Sequence, residues 1–259
     1  MNHWPIVPFL KQQEFRPLDN YVLRGFATRD EVWATARKLL RDFKVEASRY
    51  RTHVISAEQL QLLNTGSAQG LRGFFDGLGL QTKVVVYVRH PAERLSSLIS
   101  QKLRGGQESL RTFLIEDRIS PTIRTYAEVF GKDNMIIRRF GPRPISGLNP
   151  KRLNESLSVP AVLLADQLFA MNLLAAGARG NERYLDQIVG PKFLAPRSMV
   201  REAIEVHRAC LDYLEKEFGI QFAEVDLSTF PEVVSREMSS EALASIATFS
   251  TSRAWPSVG

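Results

Sequence analysis

Val84-Val85-Val86-Tyr87-Val88-Arg89-His90-Pro91-Ala92-Glu93-Arg94-Leu95-Ser96-Ser97 is the stretch on which the reading of the fold turns. Its first five residues are an uninterrupted, β-branched run, the pattern of a central parallel strand covered on both faces. Pro91 stands where the first turn of a helix tolerates a missing N–H, and the helix is expected to run to about Arg104, where Gly105-Gly106 stops it. In open α/β sheets, ligands gather beyond the carboxyl ends of the strands. Arg89 occupies that place, next to the unpaired N–H groups and positive dipole end of the following helix. Its planar guanidinium fork suits the oxygens of a phosphate-like anion. Ser97 lies eight positions on, within reach of the same anion along a helix rising about 1.5 Å per residue.

Working outward, Thr28 and Glu31 have the spacing of a capping box, followed by Val32, Ala36, Leu39, Leu40 and Phe43 at helical intervals. His53-Val54-Ile55 reads as a short strand. A second helical region extends to about Leu78 with Gly66 and Gly70 as interruptions, and Gly77 and Gly79 mark a turn. Beyond the central stretch, helices are expected over about 109–117 and 122–130, with Gly131 as C-terminal cap. Met135-Ile136-Ile137 reads as a third strand, ending in Arg138-Arg139-Phe140. Past Pro144 the pattern becomes helical: Ser158 caps a helix to about Ala176, and a long amphipathic helix spans Arg197 to Phe218, closed by Gly219. These elements predict an α/β fold, a three-layer, doubly wound parallel sheet with a helical C-terminal half. The expected organisation is a single domain over 1–240, with its sheet core at about 50–145, its helical cover at about 150–220, and a loose tail at 241–259.

Composition narrows the function classes. The 259 residues are 44% hydrophobic and 24% charged, an ordinary globular balance. No run approaches the roughly 20 apolar residues that span a bilayer. The N-terminus lacks the basic start and apolar core of a secretory signal, so a cytoplasmic location is expected. Cys210 is the single cysteine and reads as a core thiol rather than a nucleophile. The net charge is +6, and between Arg89 and Arg143 eleven Lys/Arg face six Asp/Glu. This basic centre fits an anionic ligand, with a solvated basic face as the alternative. Zinc spacings, an aromatic RNA-binding strand signature and a basic helix with heptads are all missing, which argues against nucleic acid.

The strand ending in Arg89, the Pro91 after it and the Ser97 eight positions on resemble the 3′-phosphate-binding motif of sulfotransferases that use 3′-phosphoadenosine 5′-phosphosulfate (PAPS). Val54-Ile55-Ser56-Ala57-Glu58 resembles the strand preceding that motif in bacterial carbohydrate-type members. Residues Tyr126 to Asn134, Arg138-Arg139-Phe140 and Asn154-Glu155-Ser156-Leu157-Ser158 are similar to later elements of the same group. The resemblance covers about residues 50–215. It implies a P-loop NTPase-like fold, PAPS as donor substrate without a metal, and a carbohydrate or glycolipid hydroxyl as acceptor. Arg89 and Ser97 would then hold the donor's 3′-phosphate. Arg94 reads as solvent-facing or ion-paired, and His90 as a supporting or exposed histidine rather than a base.

Glu58 follows a strand end and is the candidate catalytic carboxylate, able to accept the proton of an attacking hydroxyl. Its equal alternative is a helix cap or an ion pair. Of Arg138 and Arg139, strand alternation lets only one face the crevice. The resemblance also implies an early Gly/Thr/Ser-rich loop with a lysine, cradling the 5′-phosphosulfate. Residues 1–50 do not fit it: Gly25 is their one glycine, and Lys11, Lys38 and Lys44 lack a glycine-rich context. The expectation is a truncated chain, a misplaced start or a degenerate relative. Two functions follow, an active PAPS-dependent sulfotransferase or a non-catalytic nucleotide-binding remnant or partner subunit. A P-loop kinase is disfavoured because no G-x-x-x-x-G-K-[ST] occurs.

Overall fold

The computed structural model describes residues 28–56, 58–140, 156–173 and 185–252, and these divide into two compact units. The first takes in Met1–Val88 and Arg118–Arg138, and the second Arg89–Asp117 and Arg139–Gly259.

In the first unit, α1 (Arg29–Glu46) opens on the expected capping box. Thr28 N–H donates to Glu31 Oε2, and Glu31 N–H donates to Thr28 Oγ1, each at 3.3 Å. Near its far end, Phe43 meets Phe74 and Phe75 of α2 (Thr65–Asp76), with ring centroids 6.1 and 6.0 Å away. α2 packs against α4 (Ile119–Phe130), where the Arg72 guanidinium donates to the Val129 carbonyl. The Tyr126 hydroxyl donates to Leu60 O at 2.7 Å, and burial pushes its pKa up. β1 (Val84–Val88) pairs with β2 (Met135–Arg139) in a small parallel sheet, two strands among the described residues, with β1 also contacting α4. Lys83 Nζ secures the β2 approach by donating to Asp133 O and Asn134 Oδ1, both at 2.9 Å.

Three expectations for this unit change. β1 is not covered on both faces: burial alternates, leaving Val85 52% and Tyr87 54% exposed. His53-Val54-Ile55 forms no strand. His53 Nε2 instead donates to the carbonyls of Ala47 (3.1 Å) and Tyr50 (3.0 Å), and its ring meets Phe43 edge-on. These local bonds tie the segment to the end of α1 rather than to a ladder. Gly66 and Gly70 lie within α2; the break falls earlier, at Asn64, whose side chain caps α2 by accepting from Ser67 N–H at 2.8 Å.

The second unit is built on α3 (Pro91–Arg104), with Pro91 in its first turn and Gly105 at its end as expected. Ala92, Leu95, Ile99 and Leu103 form its buried stripe and pack with α5 (Val159–Ala170) and α6 (Arg197–Val206) around Phe193. Two buried serines on α3 bind neighbouring backbone. Ser96 Oγ accepts from Ala195 N–H at 2.9 Å, and Ser100 Oγ accepts from Leu157 N–H at 3.1 Å. Ser158 caps α5 and also donates to Ile188 O at 2.6 Å. Gly190 closes this region at φ +153°, where a Cβ would stand 2.7 Å from Pro160 Cδ, so no other residue fits without movement.

The expected helix over 109–117 is absent. Ser109 and Thr112 bond each other's amides through their hydroxyls at 3.2 and 3.1 Å, and Leu110 N–H goes to Asp166 Oδ1 at 2.6 Å. With those N–H groups taken by side chains, the segment stays a turn. The long helix to Phe218 divides at His207 into α6 and α7 (Arg208–Phe218), and Gly219 closes α7 at φ +64°. α5 ends at Ala170, short of the expected Ala176; residues 174–184 lie outside the described set. Ser240–Ser252 is helical (α8), where a loose tail was expected. No described helix is long and apolar enough to cross a membrane.

Candidate functional site

The start of α3 gathers the residues that sequence reasoning marked. His90 is its N-cap, with Nδ1 accepting from Ala92 N–H at 3.2 Å. It is 7% exposed, so it is neither a surface residue nor a base open to solvent. Its ring stands edge-on to Phe222 at 5.4 Å, and the Arg139 guanidinium lies over the same Phe222 ring at 5.6 Å. That contact separates Arg139 from Arg138, whose exposed side chain makes no such stack among the described residues. Burial lowers the His90 pKa, Glu93 opposes that shift, and the neighbouring His207 adds to it.

Arg89 precedes the cap. Its guanidinium lies over the Phe140 ring at 5.6 Å, and its Nε is 3.7 Å from Glu93 Oε2. The pair is solvent-facing, 42% and 60% exposed, and so contributes at most about 1 kcal/mol to stability. Ser97 is half-buried, and its hydroxyl donates to Arg94 O at 2.9 Å. Contact with a phosphate would require that hydroxyl to turn from its own helix. Glu93 and Ser97 are four apart on α3 and so share a face of it, while Arg89 lies just before the N-cap and is paired with Glu93. Sequence reading passed over Glu93, although the four-residue interval on either side of it was a legible signal. Phe140 and Phe222, the two rings beneath the arginines, had no local signal.

Glu58 opens a 3-10 turn, Glu58–Leu62, in the first unit, and its side chain lies outside the described residues. Residues 1–27, and with them Lys11 and Gly25, also lie outside, as do Asn154 and Glu155. Cys210 is buried in α7, in keeping with a core thiol. Among the described residues no group of three His, Cys, Asp or Glu side chains gathers to hold a metal ion. An open groove of about 500 Å³ in the second unit involves none of the expected site residues; Lys192, Arg197 and Glu232 line it with Val159, Phe230 and Val234.

No protein-family model matches the chain, and comparison with curated proteins and with solved structures finds no match.

Proposed function

We propose that the start of α3 binds the 3′-phosphate of an adenine-nucleotide sulfate donor, and that the protein is a PAPS-dependent sulfotransferase acting on a carbohydrate or glycolipid hydroxyl. The observation that carries the reading is Arg89, stacked on Phe140 immediately before the capped N-terminus of α3, with Ser97 further along the same helix. The helix dipole and a guanidinium fork act together on an anion. Arg139 on Phe222 adds positive charge in the same unit. In the transfer, the acceptor oxygen forms a bond to sulfur as the sulfur–oxygen bond to the 5′-phosphate breaks. The nucleotide leaves as 3′-phosphoadenosine 5′-phosphate, and the acceptor proton passes to a carboxylate. Glu58 is assigned that role from sequence. The reading further implies that β1 and β2 belong to a larger doubly wound parallel sheet of P-loop type.

A non-catalytic nucleotide-binding protein is the second reading, favoured by Glu93, whose carboxylate stands beside the arginine assigned to the phosphate. Calorimetry tests what both readings share. 3′-Phosphoadenosine 5′-phosphate is expected to bind measurably and more tightly than 5′-AMP, and equal affinities would reject the 3′-phosphate assignment. Measurable sulfuryl transfer separates the two readings, and Glu58→Gln then tests the role of the carboxylate. A catalytic role predicts lost transfer with unchanged melting temperature and nucleotide affinity. A destabilised variant with normal turnover per folded molecule assigns Glu58 to the turn it opens.

A further inference from the structure

His90 and His207 are the two buried histidines among the described residues, each 7% exposed, and their ring nitrogens are committed in opposite ways. An amide N–H can only donate, so His90 Nδ1 accepts from Ala92 and carries no proton. A carbonyl can only accept, so His207 Nδ1, 2.8 Å from Ala203 O, carries one. His207 Nε2 faces the Asp117 carboxylate at 4.0 Å. The second proton of His90 would enter at Nδ1, the atom that caps α3. Protonation there removes the acceptor for Ala92 N–H and places a cation at the positive end of the helix dipole.

We propose that His90 is an acid-sensitive latch on the start of α3: neutral, it holds the helix cap beside Phe222, and protonated at Nδ1 it releases the cap.

The groups facing this latch come from four segments. Glu93 lies on α3 itself, and His207 is the junction of α6 and α7. Asp117, in the segment after α3, stands opposite His207, and Arg139, at the end of β2, shares the Phe222 ring. Glu93 favours a charged His90, but it is largely exposed and paired with Arg89, whereas burial and His207 act against the charge from inside. The sign follows from the lowered pKa. Above about pH 6.5 both folded and unfolded His90 are neutral, and the latch adds no pH dependence. Below that, the unfolded chain takes up a proton that the folded chain resists, so stability falls until pH passes the folded pKa. Arg89 directly precedes His90, where the chain enters α3. The inference nonetheless stands apart from the nucleotide reading, because its test contains no ligand.

The experiment follows the His90 ring and the Ala92 amide by NMR from about pH 7.5 to about pH 5. The His90 midpoint is expected below 6.5, and the Ala92 protection factor should drop about fivefold across it, the worth of one cap bond. His90→Asn, which keeps a capping oxygen but does not titrate, should hold Ala92 protected and flatten the acid loss of melting temperature. His207→Gln should raise the His90 midpoint. A His90 midpoint at or above 6.5, or His90→Asn retaining the wild-type acid profile, overturns the latch. Should His90→Asn fail to fold, the wild-type midpoint and Ala92 protection decide by themselves.

Discussion

Phe193→Ala is expected to lower the stability of the second unit by about 3–5 kcal/mol, the range for truncating a fully enclosed aromatic. Phe193 has no exposed surface and lies in the core shared by α3, α5 and α6. Its own backbone is held in place, its N–H donating to Leu157 O at 2.9 Å beside the Ser158–Lys192 bridge. Neighbours on either side are pinned as well, Leu157 through Ser100 and Ala195 through Ser96. A core whose walls are fixed by hydrogen bonds cannot close over a vacated ring, which places the cost in the upper part of the range. Thermal unfolding should show a fall of order 10 °C. Phe193→Leu, which refills much of the volume, should cost less than half as much. A loss under about 1 kcal/mol for the alanine variant would mean that the surrounding chain relaxes into the site, contrary to its pinned geometry.

Wherever the signal was local, the sequence was readable. The capping box at Thr28, the β-branched run of β1, Pro91 in the first turn of α3 and the left-handed Gly219 each carry their instruction within a few residues. What failed was decided by partners distant in sequence or by side-chain bonds that periodicity does not weigh. A helix was expected over about 109–117, but its Leu110, Phe113 and Ile115 pack toward the second unit's core from a turn and the extended segment after it, where Asp166, 56 positions away, holds Leu110 N–H. Val54 had the β-propensity of a strand residue and is 77% exposed, because His53 anchors the segment to α1. His207 looked like one more position on an amphipathic helix; its ring bonds to Ala203 O at the point where α6 gives way to α7. At the candidate site, the places of Arg89 at the end of β1 and of Ser97 within α3 were legible from the strand run and Pro91. The rings beneath Arg89 and Arg139 were not, since Phe140 lies 51 positions from Arg89 and Phe222 lies 83 from Arg139.

Arg89→Ala should weaken binding of 3′-phosphoadenosine 5′-phosphate about tenfold, the lower end for a charge-assisted contact, because the guanidinium is 42% exposed and competes with water. Glu93→Gln should act in the opposite direction. Its carboxylate lies 3.7 Å from Arg89 Nε, so an incoming phosphate must displace it or sit against it. Removing that charge frees the arginine and lowers repulsion, for an expected gain of about two- to fivefold. The opposed signs make the pair more informative than either variant alone. A basic surface with no defined site would also bind less after Arg89→Ala, and its binding would also fall with salt. Such a surface would treat 5′-AMP and the 3′-phosphorylated nucleotide alike in both variants. A built site instead predicts that the gain in Glu93→Gln is confined to the nucleotide carrying the 3′-phosphate and disappears in the Arg89→Ala, Glu93→Gln double variant, since the freed partner is then missing. Calorimetry on the four proteins with the two nucleotides measures this coupling. Equal gains for both nucleotides, or a gain that persists without Arg89, would leave the start of α3 as a charged surface rather than a phosphate site.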